Sequence, residues 1–181
     1  MSHREVFDPE EWTPDAVERL FIFCQFDRVM PYEKVVESFD YLDKRGFASF
    51  DELRMLMPED LAALFKEAKL RFPKATADQL YYNIHHYDGE TLHKMSREEI
   101  VEKCKGFGWK LASMFCNRCQ GTNYAIIDVH INKYLDEHGC IANNYKKKEE
   151  HFIWLAKEQG KTVDELDREI WNARRIGNKE K

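Results

Sequence analysis

Apolar residues recur three and four positions apart along nearly the whole chain, and no strand-length stretch alternates apolar with polar, so the pattern predicts an all-α protein. Thr13-Pro14 supplies an N-cap and a proline at the first helical position, opening a helix to about Phe26 with Val17, Leu20, Phe21 and Cys24 on one face. A second helix is expected from near Pro31 to Lys44, with Gly46 as its stop. Ser49-Phe50-Asp51-Glu52 reads as a capping box launching a short helix, and Pro58 starts another carrying Leu61, Leu64 and Phe65. Arg71-Phe72-Pro73-Lys74 reads as a turn, after which Thr76 caps a helix to about His86. Asp88-Gly89 breaks the pattern, and the capping box Ser96-Arg97-Glu98-Glu99 restores it in a helix that ends at Gly106-Phe107-Gly108. Further helices are predicted from that turn to about Arg118, from Asp128 to His138, from about Tyr145 to Gln159, and from Thr162-Val163-Asp164-Glu165 to about Arg175. Without repeats, low-complexity tracts or linkers, residues 1–181 read as one domain.

Composition narrows the setting. No segment approaches the ~20 apolar residues of a membrane span, and Met1-Ser2-His3-Arg4-Glu5 carries no secretory leader, so a soluble intracellular monomer is expected, in the cytoplasm or nucleoid, or the nucleus if the source is eukaryotic. The cysteines number five at irregular spacing, which argues for a reducing compartment over a disulfide framework. Cys116-x-x-Cys119 has ligand-like spacing but lies within or just past one amphipathic helix, so packing thiols and no metal are expected. A net charge of −5 speaks against nucleic acid, yet Lys103, Lys105, Lys110, Arg118 and Lys146–Lys148 gather apart from the early acids and can form a positive face.

The candidate chemistry lies in 103–138. Gly106 and Gly108 flank one apolar residue, Phe107, in a turn that brings backbone N–H groups to a helix start, a phosphate-binding device that a purely structural turn would also satisfy. Lys110 follows that turn at once. Deprotonated, its amine is a nucleophile able to form a Schiff base with a sugar C1′; a solvated phosphate contact is the alternative. Asp128 follows the apolar run Ala125-Ile126-Ile127 at a helix start, where it is an N-cap or, partly buried, a carboxylate that accepts a proton and stabilises positive charge. His130 either donates to a phosphate or packs.

Lys105-Gly106-Phe107-Gly108-Trp109-Lys110-Leu111-Ala112-Ser113, with Ala125-Ile126-Ile127-Asp128-Val129-His130, resembles the catalytic core of the helix-hairpin-helix DNA glycosylases that include endonuclease III. Within that superfamily the chain is most similar to the short archaeal-type 8-oxoguanine DNA glycosylase/AP lyases, through Leu70-Arg71-Phe72-Pro73, Ser113-Met114-Phe115, Phe152, Leu155-Ala156, Gly160, Glu165-Leu166-Asp167 and Ile170-Trp171. It departs from them at Asn117-Arg118 and Met114, which bear on contacts beside the lesion. The resemblance implies a helical fold with a cleft between two lobes, and Lys110 as Schiff-base nucleophile with Asp128 as its carboxylate. It further implies Gly106, Phe107, Gly108 and His130 on DNA phosphates, and no required cofactor, with a monovalent cation at the carbonyls of the turn. Trp171 would stack on the extruded base and Lys181 would serve in its recognition; periodicity alone somewhat favours a core tryptophan at Trp171 over a stacking one.

The expectation is therefore a base-excision repair glycosylase with AP lyase activity, acting on double-stranded DNA that contains an oxidised purine such as 8-oxoguanine. The alternatives are a non-catalytic hairpin module that binds DNA backbone and a glycosylase for another damaged base.

Overall fold

The computed structural model describes residues 6–177, with side chains through residue 173. They pack as two compact units, Met1–Gln120 and Gly121–Lys181, and are helical without strands.

In the first unit the chain turns around one buried helix, α1 (Pro14–Phe26). Thr13 Oγ1 accepts from the Ala16 N–H at 3.2 Å and Pro14 occupies the first turn, as the sequence predicts. Every residue from Leu20 to Phe26 is buried, so this helix is covered on all sides. Its aromatics explain the cover. Phe21 meets Phe50, Phe107 and Phe115; Phe23 meets Phe39; Phe26 meets Phe65. Those partners belong to α2 (Tyr32–Asp43), α3 (Phe50–Arg54), α4 (Pro58–Glu67), the hairpin turn and α8 (Trp109–Cys119). Between them run α5 (Pro73–His86), α6 (Gly89–Lys94) and α7 (Arg97–Lys103).

Three expectations change. Thr76 is buried one turn inside α5, because Pro73 already holds the opening position and Phe72 stands at the cap. Ser49 makes no side-chain cap bond; the five-residue α3 is fixed by burying Phe50 and Leu53. Asp88-Gly89 does not only break a helix, since the Asp88 carboxylate caps α6 through the Thr91 N–H at 2.8 Å. Gly89 is required there because a Cβ would run into the backbone of Pro14, and its N–H donates to Glu18 Oε1 at 3.0 Å. Burial raises the Glu18 carboxyl above its ordinary range against that bond.

The second unit begins with a non-helical segment that has no strand to pair with. Side chains of α10 (Tyr145–Glu158) stand in for one. Glu149 accepts from the Ala125 N–H at 3.1 Å, while Tyr145 donates to the Ala125 carbonyl at 2.9 Å and accepts from the Ile127 N–H at 3.0 Å. The alternation then follows: Ala125 and Ile127 enter a core with Ile131 and Leu135 of α9 (Val129–Glu137), Phe152, Leu155 and Ala156 of α10, and Leu166 and Ile170 of α11 (Val163–Gly177). Asn144 caps α10 through Lys147, and Thr162 and Glu165 cap α11 reciprocally, the box read from the sequence.

Candidate active site

The hairpin is α7, the turn 104–108 and α8. Ser96 and Glu99 form the capping box that starts α7, and Arg97 crosses to α8, donating to Ser113 Oγ at 3.2 Å with its guanidinium over the Trp109 ring. The turn is clamped from below by two buried amides. Gln25 Nε2 and Asn83 Nδ2 both donate to the Lys105 carbonyl, at 3.2 and 2.9 Å; Asn83 Oδ1 accepts the Lys105 N–H at 2.8 Å; and Asn83 also donates to Gln25 Oε1 at 2.9 Å. This support carries no local sequence signal, since Gln25 and Asn83 look like ordinary helix residues.

Gly106 has φ +79°, and a Cβ on it would strike the side chains of Gln79 and Gln25. Gly108 differs. It caps α8 without a side-chain bond, its φ is −96°, and no atom lies within 4 Å of where its Cβ would be. Phe107 gives the turn only its backbone, because its ring is buried and stacked on Phe21 at 4.3 Å, and its N–H reaches the Cys104 carbonyl at 3.4 Å. The opening of α8 carries the partial positive charge of a helix N-terminus, which favours an anion there.

Lys110 lies in that first turn, half-buried, and its Nζ donates to Asp27 Oδ2 at 2.7 Å. Sequence reading missed Asp27, the C-cap residue of α1, because nothing local connects it with a lysine far along the chain. Cys104, Cys116 and Cys119 are buried and their thiols pushed up to about 12 by desolvation. Cys119 Sγ donates to the Phe115 carbonyl at 3.3 Å. Among the described residues no group of His, Cys, Asp and Glu is arranged to hold a metal, and no helix is long and apolar enough to cross a membrane.

Asp128, His130 and Trp171 belong to the second unit, and Lys181 lies outside the described residues. Asp128 is the N-cap of α9, its Oδ1 accepting from the His130 and Ile131 N–H groups at 2.8 and 2.9 Å. Oδ2 has no hydrogen-bond partner among the described residues. Asn132 Nδ2 donates to the Asp128 carbonyl at 2.9 Å and its Oδ1 takes a bond from Lys148 Nζ at 2.6 Å. The capping residue thus keeps one carboxylate oxygen for other use. Trp171 is half-buried on α11, between the core residue Ile170 and the exposed Asn172. One turn earlier, Asp167 has its carboxyl raised to about 7 by burial first, then by Asp128 and Asp164.

Comparison with known proteins gives a consistent set. The family model described as 8-oxoguanine DNA glycosylase matches residues 21–162. An 8-oxoguanine DNA glycosylase/AP lyase of Thermotoga sp. (strain RQ2) is 29% identical over 131 residues, covering 62% of this chain and 61% of the relative. One from Aquifex aeolicus is 33% identical over 113 residues, covering 56% and 46%. The chain therefore spans less than two thirds of these relatives' own length. Among solved structures, the 8-oxoguanine glycosylase/lyase of Methanocaldococcus jannaschii, in complex with a 15mer DNA containing 8-oxoguanine, superposes with a TM-score of 0.73 at 21% identity, covering 94% of this chain and 86% of that one.

Proposed function

The chain belongs to the helix-hairpin-helix 8-oxoguanine DNA glycosylase family, and from that membership we propose that it excises an oxidised purine, 8-oxoguanine first, from double-stranded DNA as a monomeric glycosylase/AP lyase. The observation that carries the reading is Lys110 in the first turn behind the glycine hairpin, its Nζ held by Asp27 and its side chain still partly exposed. The amides about Gly106 and Gly108 hold a backbone phosphate, which places a sugar beside that amine. Lys110 attacks C1′ of the flipped nucleotide, the base departs, and the resulting imine permits β-elimination of the 3′ phosphate. Asp128, with Oδ2 uncommitted, stabilises the positive charge on the sugar, His130 contacts phosphate, and Trp171 and Lys181 serve the base.

Support comes from the names of the relatives and from the M. jannaschii protein's complex with lesion DNA. No cofactor enters the scheme. A monovalent cation at the turn would have to be held by carbonyls other than that of Lys105, whose two lone pairs are taken by Gln25 and Asn83.

The test is borohydride trapping on duplexes with single defined lesions. Wild type should give a covalent adduct and a nicked strand with 8-oxoguanine, and Lys110→Gln should give neither. Trapping with another base only would reassign the substrate; tight binding with no adduct on any lesion would leave a module that holds DNA backbone.

A further inference from the structure

Lys110 stands where a cation is electrostatically misplaced. The N-terminal turn of a helix carries partial positive charge, which disfavours an ammonium there. What holds it is Asp27, whose side chain is only 15% exposed against 33% for Lys110. Asp27 is itself fixed: its N–H closes the end of α1 on the Cys24 carbonyl at 3.1 Å, Phe26 before it is fully buried, and Arg28 after it is bonded to Gln79. The groups coupled to this pair are Cys24 and Tyr32, and next to those lie Cys116 and Cys119 on the Cys24 side and Glu33 and Arg118 on the Tyr32 side. Burial drives the Cys24 thiol well up, with Asp27 adding to it, and burial raises the Tyr32 hydroxyl against the opposing Arg118. Both stay protonated, so neither can relieve a lysine of its proton. Glu33 bears on Tyr32, and Arg118, the one other cation of this set, cannot accept a proton.

We propose that Asp27 is a further catalytic residue, the base that takes the proton from Lys110 Nζ and holds the amine in line for attack. The proposal rests on Lys110 being the nucleophile. In the first step an Nζ–H bond breaks, its electron pair remains on nitrogen, and the proton passes to Asp27 Oδ2. The lone pair then forms the N–C1′ bond while the bond from C1′ to the base breaks, its pair leaving on the base, which takes up a second proton from the newly bonded nitrogen. Finally the nitrogen pair forms C1′=N, the C1′–O4′ bond breaks toward O4′, and O4′ receives the proton stored on Asp27, returning the carboxylate. All three protons of the starting ammonium are accounted for, one each on base, O4′ and imine. Asp128 is then free to act on the sugar charge alone.

The experiment is single-turnover borohydride trapping on 8-oxoguanine duplex, with duplex affinity and thermal unfolding measured on the same samples. Asp27→Asn should trap about 100-fold more slowly, the size of effect that loss of a positioned base produces, with affinity unchanged within about twofold. Asp27→Glu, which keeps the carboxylate, should recover a large part of that rate. Added formate should speed Asp27→Ala at least about tenfold and leave Lys110→Gln inert, a rescue that a purely structural role would not show. Trapping by Asp27→Asn at the wild-type rate, or faster, overturns the proposal, as does a formate-insensitive Asp27→Ala that melts like wild type. If wild type itself traps on no lesion, the nucleophile assignment falls first, and that arm separates the two failures.

Discussion

Gly106 and Gly108 are two residues apart and lack a side chain for different reasons. At Gly106 the backbone is left-handed and the space is filled by Gln79 and Gln25, so Gly106→Ala should cost about 1–3 kcal/mol in urea unfolding. At Gly108 the conformation suits any residue and the space is open. Gly108→Val should therefore unfold like wild type yet, if the proposed phosphate contact holds, bind damaged and undamaged duplexes more weakly by a similar factor, because a backbone contact does not read the lesion; a defect confined to lesion DNA would contradict this. Asp128 can be separated in the same manner. Asparagine is as good an N-cap as aspartate, so Asp128→Asn should keep α9 and DNA affinity and lose most turnover. Near-normal single-turnover excision by that variant would remove Asp128 from the mechanism.

For the hairpin as an element, the decisive contacts come from elsewhere in the unit. Asn83→Ala would leave the Lys105 N–H without its acceptor and remove one of two donors to the Lys105 carbonyl. With Asn83 fully buried, a loss of about 2–3 kcal/mol is expected, accompanied by weaker binding to any duplex as the turn loosens; calorimetry and a binding titration read the two effects. The same distinction explains what the sequence could tell. Caps and stops are local chemistry, so Thr13, Ser96 with Glu99, Thr162 with Glu165, and the glycines at 46, 139 and 160 could be read directly, and Gly46, Gly139 and Gly160 do have positive φ. Thr76 and Ser49 misled because a proline and a buried phenylalanine settled those helix starts instead. Lys110 and the glycine turn were visible as a compact motif. Asp27, Gln25 and Asn83 were not, since each acts across a distance in sequence that neither periodicity nor spacing encodes.

At the scale of the molecule, the two units invite separate thermodynamic treatment, and the second carries a built-in pH dependence. Asp167 sits on α11, which packs on α9, and Asp128 at the start of α9 and Asp164 one turn back oppose its charge while burial removes its water. Its carboxyl rises from an ordinary 3.8 to about 7 in the folded chain. Because the folded value lies above the unfolded one, the native state binds the proton more tightly. The stabilisation is complete below about pH 4 and is lost as pH rises through about 7. Glu165, held low by its cap with Thr162, works in the opposite sense at more acidic pH and cancels when variant is compared with wild type. Asp167→Asn, neutral at every pH, should therefore match wild type near pH 4 and exceed it near pH 8 by on the order of 2–4 kcal/mol. Urea unfolding followed through Trp154, in the same unit, reads this difference. Asp128→Asn, which removes one of the opposing charges, should bring the wild-type transition of Asp167 to lower pH and narrow the gap; an advantage for Asp167→Asn that is equal at pH 4 and pH 8 would mean that lost packing, not a proton, accounts for it.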